Sequence, residues 1–149
     1  MLVPLDSDGF LRRECPTCER ELKVRPALGE EEPVQPLEGG YFCPYCGVQA
    51  PPNSWFTKAQ IQSAHSVVVN EVLNPMLKKF SDDIGSIARR SGGLVSARVS
   101  HQTPEKSPQL TEDDDMKVVT FTCHPAEPVK VLDDWSGPAM CFACGTPTV

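Results

Sequence analysis

The sequence predicts a small α+β fold in which two metal-stabilised β units are joined by a long amphipathic helix. Three observations predict it: Cys-x-x-Cys pairs near both ends of the chain, short strand-like segments beside those pairs, and one apolar stripe between them. The chain has 149 residues and 15 prolines, about twice the usual proline share of ~5%, which favours short structured units. We expect β units at residues 1–52 and 116–149, a helical segment at 53–92 and a linker at 93–115.

All seven cysteines occur at spacings typical of metal ligands. They form three pairs and one Cys-His dipeptide: Cys15 and Cys18, Cys43 and Cys46, Cys141 and Cys144, and Cys123 followed by His124. Two intervening residues let both thiolates of a tight turn face one ion, and four such ligands supply folding energy to a segment with little core. An odd number of cysteines and no signal-peptide pattern favour metal binding in a reducing compartment over disulfides. We therefore expect a cytoplasmic protein that binds Zn²⁺.

The arrangement of strands and cysteines occurs twice. The plan is a strand, a cysteine turn, a returning strand and a second cysteine turn, and it covers residues 9–24 with 41–47 and residues 116–131 with 139–145. Aligning Cys15 with Cys123 places Cys18 on Ala126, so the second unit lacks one cysteine. Two units indicate a duplication, because a solenoid needs more repeats.

These motifs resemble the zinc-ribbon superfamily, whose members clamp one ion between two cysteine turns, called knuckles, on a small β-sheet. Gly47 follows the last cysteine of the first unit, where a knuckle needs a residue at positive φ. The 24 residues 19–42 between the two knuckles fall within the range of a ribbon's loop. The resemblance covers residues 9–50 and 116–146 and implies no particular activity. The expected four-thiolate site consists of Cys15, Cys18, Cys43 and Cys46.

The second unit departs from the ribbon pattern because Ala126 stands where a thiolate is expected. Cys123, Cys141 and Cys144 remain, and His124 is the nearest replacement ligand. Four alternatives stay open: His124 completes the site, water or a partner's side chain fills the fourth position, the site is empty and held by packing, or the ion has been lost. A solvated turn histidine is the structural alternative for His124 alone.

The segment between the two units carries a long helical pattern. Residues 57–60 fit a capping box, which marks a helix N-terminus. The apolar stripe that follows consists of Ile61, Ala64, Val68, Val72, Met76, Phe80, Ile84 and Ile87. Asn74-Pro75 interrupts the pattern, since proline lacks a backbone donor, so we expect a kink or two helices. The helical pattern ends near residues 91–93.

The stripe has two interpretations. It packs on the β units of its own chain, or it pairs across a dimer axis or with another protein, because two small ribbons offer little surface to cover so long a helix. Four further apolar residues widen the face and favour burial on more than one side: Val67, Val69, Leu73 and Leu77.

Two segments read as polar loops. Residues 26–40, which include Glu30–Glu32, join the knuckles of the first unit, and residues 100–115 precede the second unit. The second loop ends in the acidic run 112–115, which we expect to be solvated. Residues 94–99 predict a short strand.

Catalysis is not expected. Three protein ligands with an open position are typical of catalytic zinc, but the spacing of a nucleobase deaminase is absent: Glu127 lies three residues after His124, and Pro138 lies three before Cys141. The chain also lacks a phosphate-binding loop and a Ser-centred elbow. His65 and His101 read as a helix-surface and a linker residue.

An electron carrier and a nucleic-acid-binding protein are the alternative classes. Residues 43–47 resemble the knuckle of rubredoxins, which hold iron with four thiolates, and ligand type alone does not separate iron from zinc. Many zinc ribbons serve transcription or translation, and basic and aromatic side chains here could contact phosphates and bases. The net charge of −6 and a pI near 5.0 oppose this class. The basic side chains concerned are Arg12, Arg13, Arg20, Lys23 and Arg25 in the first unit and Lys78, Lys79, Arg89, Arg90 and Arg98 in and after the helix. The aromatic ones are Tyr41, Phe42, Tyr45, Trp55 and Phe142.

The sequence therefore predicts a non-catalytic, zinc-binding adaptor that mediates protein–protein assembly through its helix face or an exposed ribbon edge, with another protein or with itself. No run approaches the ~20 apolar residues of a membrane span, so we expect no membrane partner.

Overall fold

The computed structural model describes residues 3–26, 37–92, 99–100 and 103–148. The chain divides into two compact units, which we name the sheet unit (Leu2–Lys58 with Leu110–Val149) and the helix unit (Ala59–Gln109). Three sequence-based assignments fall outside the described residues: the acidic stretch Glu30–Glu32, His101, and the strand at 94–99 apart from its last residue. No helix in the described part of the chain has the length and hydropathy of a membrane span.

The sheet unit contains a four-stranded antiparallel sheet in the order β1-β2-β6-β5 and a separate two-stranded ribbon, β3-β4. The strands are β1 Leu11–Glu14, β2 Glu21–Val24, β3 Tyr41–Phe42, β4 Gln49–Ala50, β5 Met116–Val119 and β6 Val129–Leu132. Strands β1 and β2 form one hairpin, β5 and β6 form another, and Lys23 opposite Lys130 joins the two hairpins. One hairpin from each predicted β unit thus contributes to the same four-stranded sheet.

The prediction of a small α+β fold with antiparallel sheets, one long helix and two cysteine clusters is confirmed. The assignment of its parts to zinc-ribbon units, and the domain boundaries at residues 52, 92 and 115, stay predictions.

One face of the four-stranded sheet is apolar. Successive side chains of a strand point to opposite faces, so Leu22 on β2 and Val129 and Val131 on β6 lie together and are buried. They belong to one core with knuckle cysteines and with the aromatic side chains of Tyr45 and Trp55. The sheet therefore rests on the cysteine-rich loops.

The opposite face of the sheet carries three cations side by side, which we name the cationic row. Arg12, Lys23 and Lys130 occupy neighbouring positions on β1, β2 and β6. Like charges directly opposite each other repel, so the row needs anions. Asp6 Oδ2 lies 2.7 Å from Lys130 Nζ and 3.3 Å from Lys23 Nζ, and Glu112 Oε1 lies 2.9 Å from both Arg12 Nε and Lys23 Nζ. The row is thus neutralised from two separate segments.

The prediction that the acidic run 112–115 is solvated is wrong for Glu112, whereas Asp113, Asp114 and Asp115 are exposed. The side chain of Glu112 is 5% exposed, and Asp115 Oδ1 lies 2.6 Å from Arg12 Nη2. Lys23 also donates to the backbone carbonyl of Asp113. The cations stand on strands far away in sequence, so local composition gave no sign of this contact.

The long helix runs without a break from Lys58 to Arg90. It consists of α1 Lys58–Val67, a π turn at Val68–Leu73 and α2 Asn74–Arg90. Pro75 cannot donate a backbone hydrogen bond, and the preceding N–H of Asn74 donates to the carbonyl of Val69, five residues back. The expected interruption at Asn74-Pro75 is thus a π turn, and Asn74 is helical instead of capping a second helix.

The helix ends where the sequence predicts. The N–H of Ser91 donates to the carbonyl of Ile87, and Gly92 follows with φ +68°, a conformation that glycine adopts at little cost.

The apolar stripe of this helix faces solvent. Met76 is 64% exposed, Ile61 58%, and Phe80 and Ile87 are each 57% exposed. These side chains are therefore exposed in the part of the chain that the structure describes. Packing on the β units and pairing with another molecule both stay predictions for the stripe. The buried side of α1 is instead mostly polar: it consists of Gln60, Ser63 and Ser66, followed by Val69 in the π turn.

Candidate metal centres

The first cysteine cluster connects the β1–β2 turn with the β3–β4 turn. The Sγ atoms of Cys15, Cys18, Cys43 and Cys46 all lie within 4.8 Å of one another. Two of the separations are 3.9 Å, from Cys15 to Cys46, and 3.7 Å, from Cys18 to Cys43. A tetrahedron with metal–sulfur bonds of about 2.3 Å has edges of about 3.8 Å. The cluster therefore has the dimensions of a tetrahedral site for one ion.

Each Cys-x-x-Cys turn closes in the same way. The residue after the second cysteine donates its N–H to the carbonyl of the first, at 3.0 Å for Glu19, 2.9 Å for Gly47 and 2.8 Å for Gly145. All three residues have positive φ, at 56°, 68° and 73°. The positive φ predicted for Gly47 is confirmed, and Glu19 adopts the same left-handed conformation with a side chain, which strains the backbone.

The second cluster brings together Cys123, His124, Cys141 and Cys144, whose ligand atoms also lie within 4.8 Å of one another. The Sγ atoms of Cys123 and Cys144 are 3.5 Å apart, and Cys141 Sγ lies 3.5 Å from His124 Nδ1. With metal–nitrogen bonds of about 2.0–2.1 Å, a sulfur–nitrogen edge of a tetrahedron measures about 3.5–3.6 Å. Of the four alternatives, this geometry favours the first, in which His124 completes the site through Nδ1.

The thiol pKa values show how the clusters depend on a cation. Burial raises the pKa of Cys43, and it raises the pKa of Cys141 to about 12. The Thr146 hydroxyl lowers the pKa of Cys144 to about 6, against a smaller opposing effect of burial. The buried thiols must release their protons to solvent as an ion binds, and the ion then compensates the buried negative charge.

The two clusters share one packed layer. The N–H of Phe42 donates to the carbonyl of Phe142 at 2.9 Å, and the N–H of Met140 donates to the carbonyl of Pro44 at 2.9 Å. The ring of Tyr41 stacks on Phe142 with centroids 4.4 Å apart. Because one knuckle of each cluster lies against the other, ordering of one cluster supports the second.

Tyr45 connects the first cluster to the sheet, and sequence reasoning missed this role. Its hydroxyl donates to the carbonyl of Glu21 at 2.6 Å and accepts from the N–H of Leu132 at 2.9 Å. The hydroxyl therefore bridges β2 and β6 beside their short pairing. No local pattern signals this bond, because its partners lie 24 and 87 residues away.

Several side chains considered for nucleic-acid binding make contacts inside the sheet unit, whereas Lys78, Lys79, Arg89 and Arg90 are exposed on the helix. Trp55 is 2% and Tyr45 6% exposed, so neither presents its face to a base. The guanidinium of Arg20 lies 5.1 Å from the ring of Trp135, and that of Arg25 lies 5.2 Å from the ring of Phe10. Arg12 and Lys23 belong to the cationic row, described above.

Two further groups of metal-ligand type have other partners. The carboxylates of Asp6, Asp8 and Asp114 lie close together, but the ammonium of Lys130 stands among them at 2.7, 2.6 and 3.9 Å. The exposed His65 places Nδ1 2.9 Å from a carboxylate oxygen of Glu105.

Comparison with protein-family models, characterised proteins and solved structures finds no match to this chain. The fold and the sites themselves define the class: a small α+β protein with two cysteine-rich clusters that can each hold a metal ion and that are consistent with zinc-ribbon-like sites.

Proposed function

We propose that this chain is a non-catalytic, zinc-stabilised module of the cytoplasm that assembles with another protein through the exposed face of its long helix. The observation that carries the proposal is that apolar face, because soluble proteins rarely leave a long contiguous apolar surface open unless it binds something. An amphipathic helix of this kind is a common element of recognition between proteins.

The metal clusters support a structural role for the ions. Each cluster supplies four protein ligands, and four-ligand zinc sites are structural, whereas catalytic sites keep a position open. The nitrogen ligand of the second cluster favours zinc over a rubredoxin-like iron site, which uses thiolates alone. Metal analysis tests this part: we expect two zinc ions per chain and a colourless protein, whereas a coloured protein that contains iron contradicts it.

Site-specific photocrosslinking tests the helix face. A photoreactive amino acid replaces Met76 on the exposed stripe, and a matched control carries it at Lys78, which is also exposed but lies on the other side of α2. We expect covalent adducts in the native cells from position 76 and far fewer from position 78. Equal yields at both positions, or no adducts at position 76, contradict assembly through this face.

A further inference from the structure

The exposed stripe stays on one side of the helix because of the π turn at Val68–Leu73. An α-helix turns by about 100° per residue, so each step of four residues drifts by about 40°. From Val68 through Val72 and Met76 to Phe80 the stripe would drift by about 120° in an ideal α-helix. The extra residue in the π turn rotates the second half back by about 100°. One apolar seam results.

Four exposed charges border this seam on the same side. Lys79, Asp83 and Arg90 lie about 60–100° from Phe80 around the helix axis, and Glu71, inside the π turn, lies about 130° from it on the same side. Their signs alternate along the helix, negative, positive, negative, positive. Among the described residues none of the four forms an ion pair of its own.

We propose, on the basis of the proposed function, that the partner is a second copy of this chain, with its helix packed antiparallel across a two-fold axis between Phe80 and Ser81. In such a pair the residue numbers rise along one helix as they fall along the other, so the numbers of two facing residues always add up to the same sum. The two-fold axis also places each side of a helix against the same side of its copy. A sum of 161 places Glu71 opposite Arg90 of the second copy and Lys79 within one position of Asp83. In a parallel pair each side of a helix would instead face the opposite side of its copy, so these four charges would not meet one another.

The apolar residues follow the same symmetry. Phe80 lies at the axis, Leu77 faces Ile84 of the second copy, and Leu73 faces Ala88. The helices overlap from residue 71 to residue 90, which is about 30 Å of seam. Each copy thus covers the central, most exposed part of the stripe of the other.

Charge reversal in the zinc-loaded full chain tests this arrangement by sedimentation equilibrium. We expect the wild type to reach twice the 16.3 kDa of one chain as its concentration rises. Glu71→Arg and Arg90→Glu should each raise the dissociation constant about tenfold, since each turns two attractions into repulsions. The double variant should return to within about threefold of wild type. Rescue inside one copy is impossible, because the two residues are about 28 Å apart along the helix.

Two controls make the result specific. Arg89→Glu changes the same charge one residue earlier, on the far side of the helix, and should leave the dissociation constant within about twofold. If Lys79→Glu, and not Arg90→Glu, restores the dissociation constant of Glu71→Arg, then Glu71 faces Lys79 and the two-fold axis lies near Pro75. That result overturns the arrangement. An equal effect of Arg89→Glu and Arg90→Glu overturns it as well.

A chain that stays at 16.3 kDa at millimolar concentration overturns self-association. Crosslinking at Met76 then separates the two proposals. Adducts with a protein other than this chain contradict only the self-association and support the proposed function, whereas the absence of any adduct contradicts both.

Discussion

Replacing Asp6 with asparagine tests whether the cationic row stabilises the fold. Asp6 is fully buried, and its Oδ2 faces the ammonium groups of Lys130 and Lys23. Its Oδ1 accepts from the N–H groups of Phe10 at 2.8 Å and Asp8 at 3.1 Å. Asparagine has the same shape and keeps the Oδ1 acceptor, but it turns an N–H₂ group towards the two lysines. The substitution therefore removes the charge and leaves the turn intact.

The magnitude follows from the pKa of Asp6. Burial alone would raise this pKa, but hydrogen bonds from Lys130, Phe10 and Lys23 outweigh burial and lower it from 3.8 to about 2. At about 1.4 kcal/mol per pKa unit, the ionised carboxylate contributes about 2.5 kcal/mol to the free energy of unfolding at neutral pH. Because the folded-state pKa lies below the ordinary value, this contribution is present above pH 3.8 and is lost as the pH falls towards 2.

Urea denaturation of the zinc-loaded protein, followed by circular dichroism, measures the effect. We expect Asp6→Asn to lower the free energy of unfolding by about 2.5–4 kcal/mol, by the same amount at about pH 8 and about pH 5.5. Asp8→Asn is the matched control: Asp8 contacts the same Lys130, but its side chain is 60% exposed, so we expect a loss below about 1 kcal/mol. Equal losses for the two variants would refute the reasoning.

Further predictions concern the clusters, their turns and the Tyr45 bridge. His124→Ala should lower the zinc content from two ions per chain to one, and unchanged zinc content by metal analysis contradicts the role of Nδ1. Cys43→Ser should unfold the sheet unit, as measured by circular dichroism, because ion binding and folding are coupled at this cluster. Glu19→Gly should raise the free energy of unfolding by about 0.5–1 kcal/mol by relieving left-handed strain. Gly145→Ala should lower the free energy of unfolding more than Gly47→Ala, because a Cβ at Gly145 would meet the Phe42 ring at 2.8 Å. Equal losses for the two variants would contradict that contact. Tyr45→Phe should lower the free energy of unfolding in urea by about 1–3 kcal/mol, since it leaves two backbone groups without the hydroxyl that joins them. An unchanged free energy of unfolding would show that this bridge does not stabilise the fold.

Local patterns predicted the parts of this chain that depend on neighbouring residues. The spacing of Cys15 and Cys18 indicated a knuckle, alternation around it indicated the β1–β2 hairpin, and Gly47 indicated a positive φ. Each of these features is set by steric rules that act over a few residues. The helix and its end near Gly92 follow from the same kind of rule.

Long-range pairing explains what the sequence did not reveal. The pairing of β2 with β6, the position of Glu112 against Arg12 and the hydroxyl of Tyr45 all join residues far apart in the chain. Lys23, between Leu22 and Val24, and Lys130, between Val129 and Val131, were available signs that a second face needs anions. Which acids supply them could not be read from composition, since Glu30–Glu32 and the run at 112–115 look alike.

Both faces of the four-stranded sheet are occupied within the sheet unit itself. Its strands are short, and one face packs on the cysteine clusters and their aromatic side chains, while the other carries the cationic row and its acids. Apolar packing on one face and ion pairs on the other thus stabilise the sheet from segments of its own unit. The helix stripe follows a different rule, because an amphipathic helix exposes its apolar side unless something covers it, and Met76 and Phe80 are more than half exposed. That exposure is the basis of the proposed assembly through the helix face.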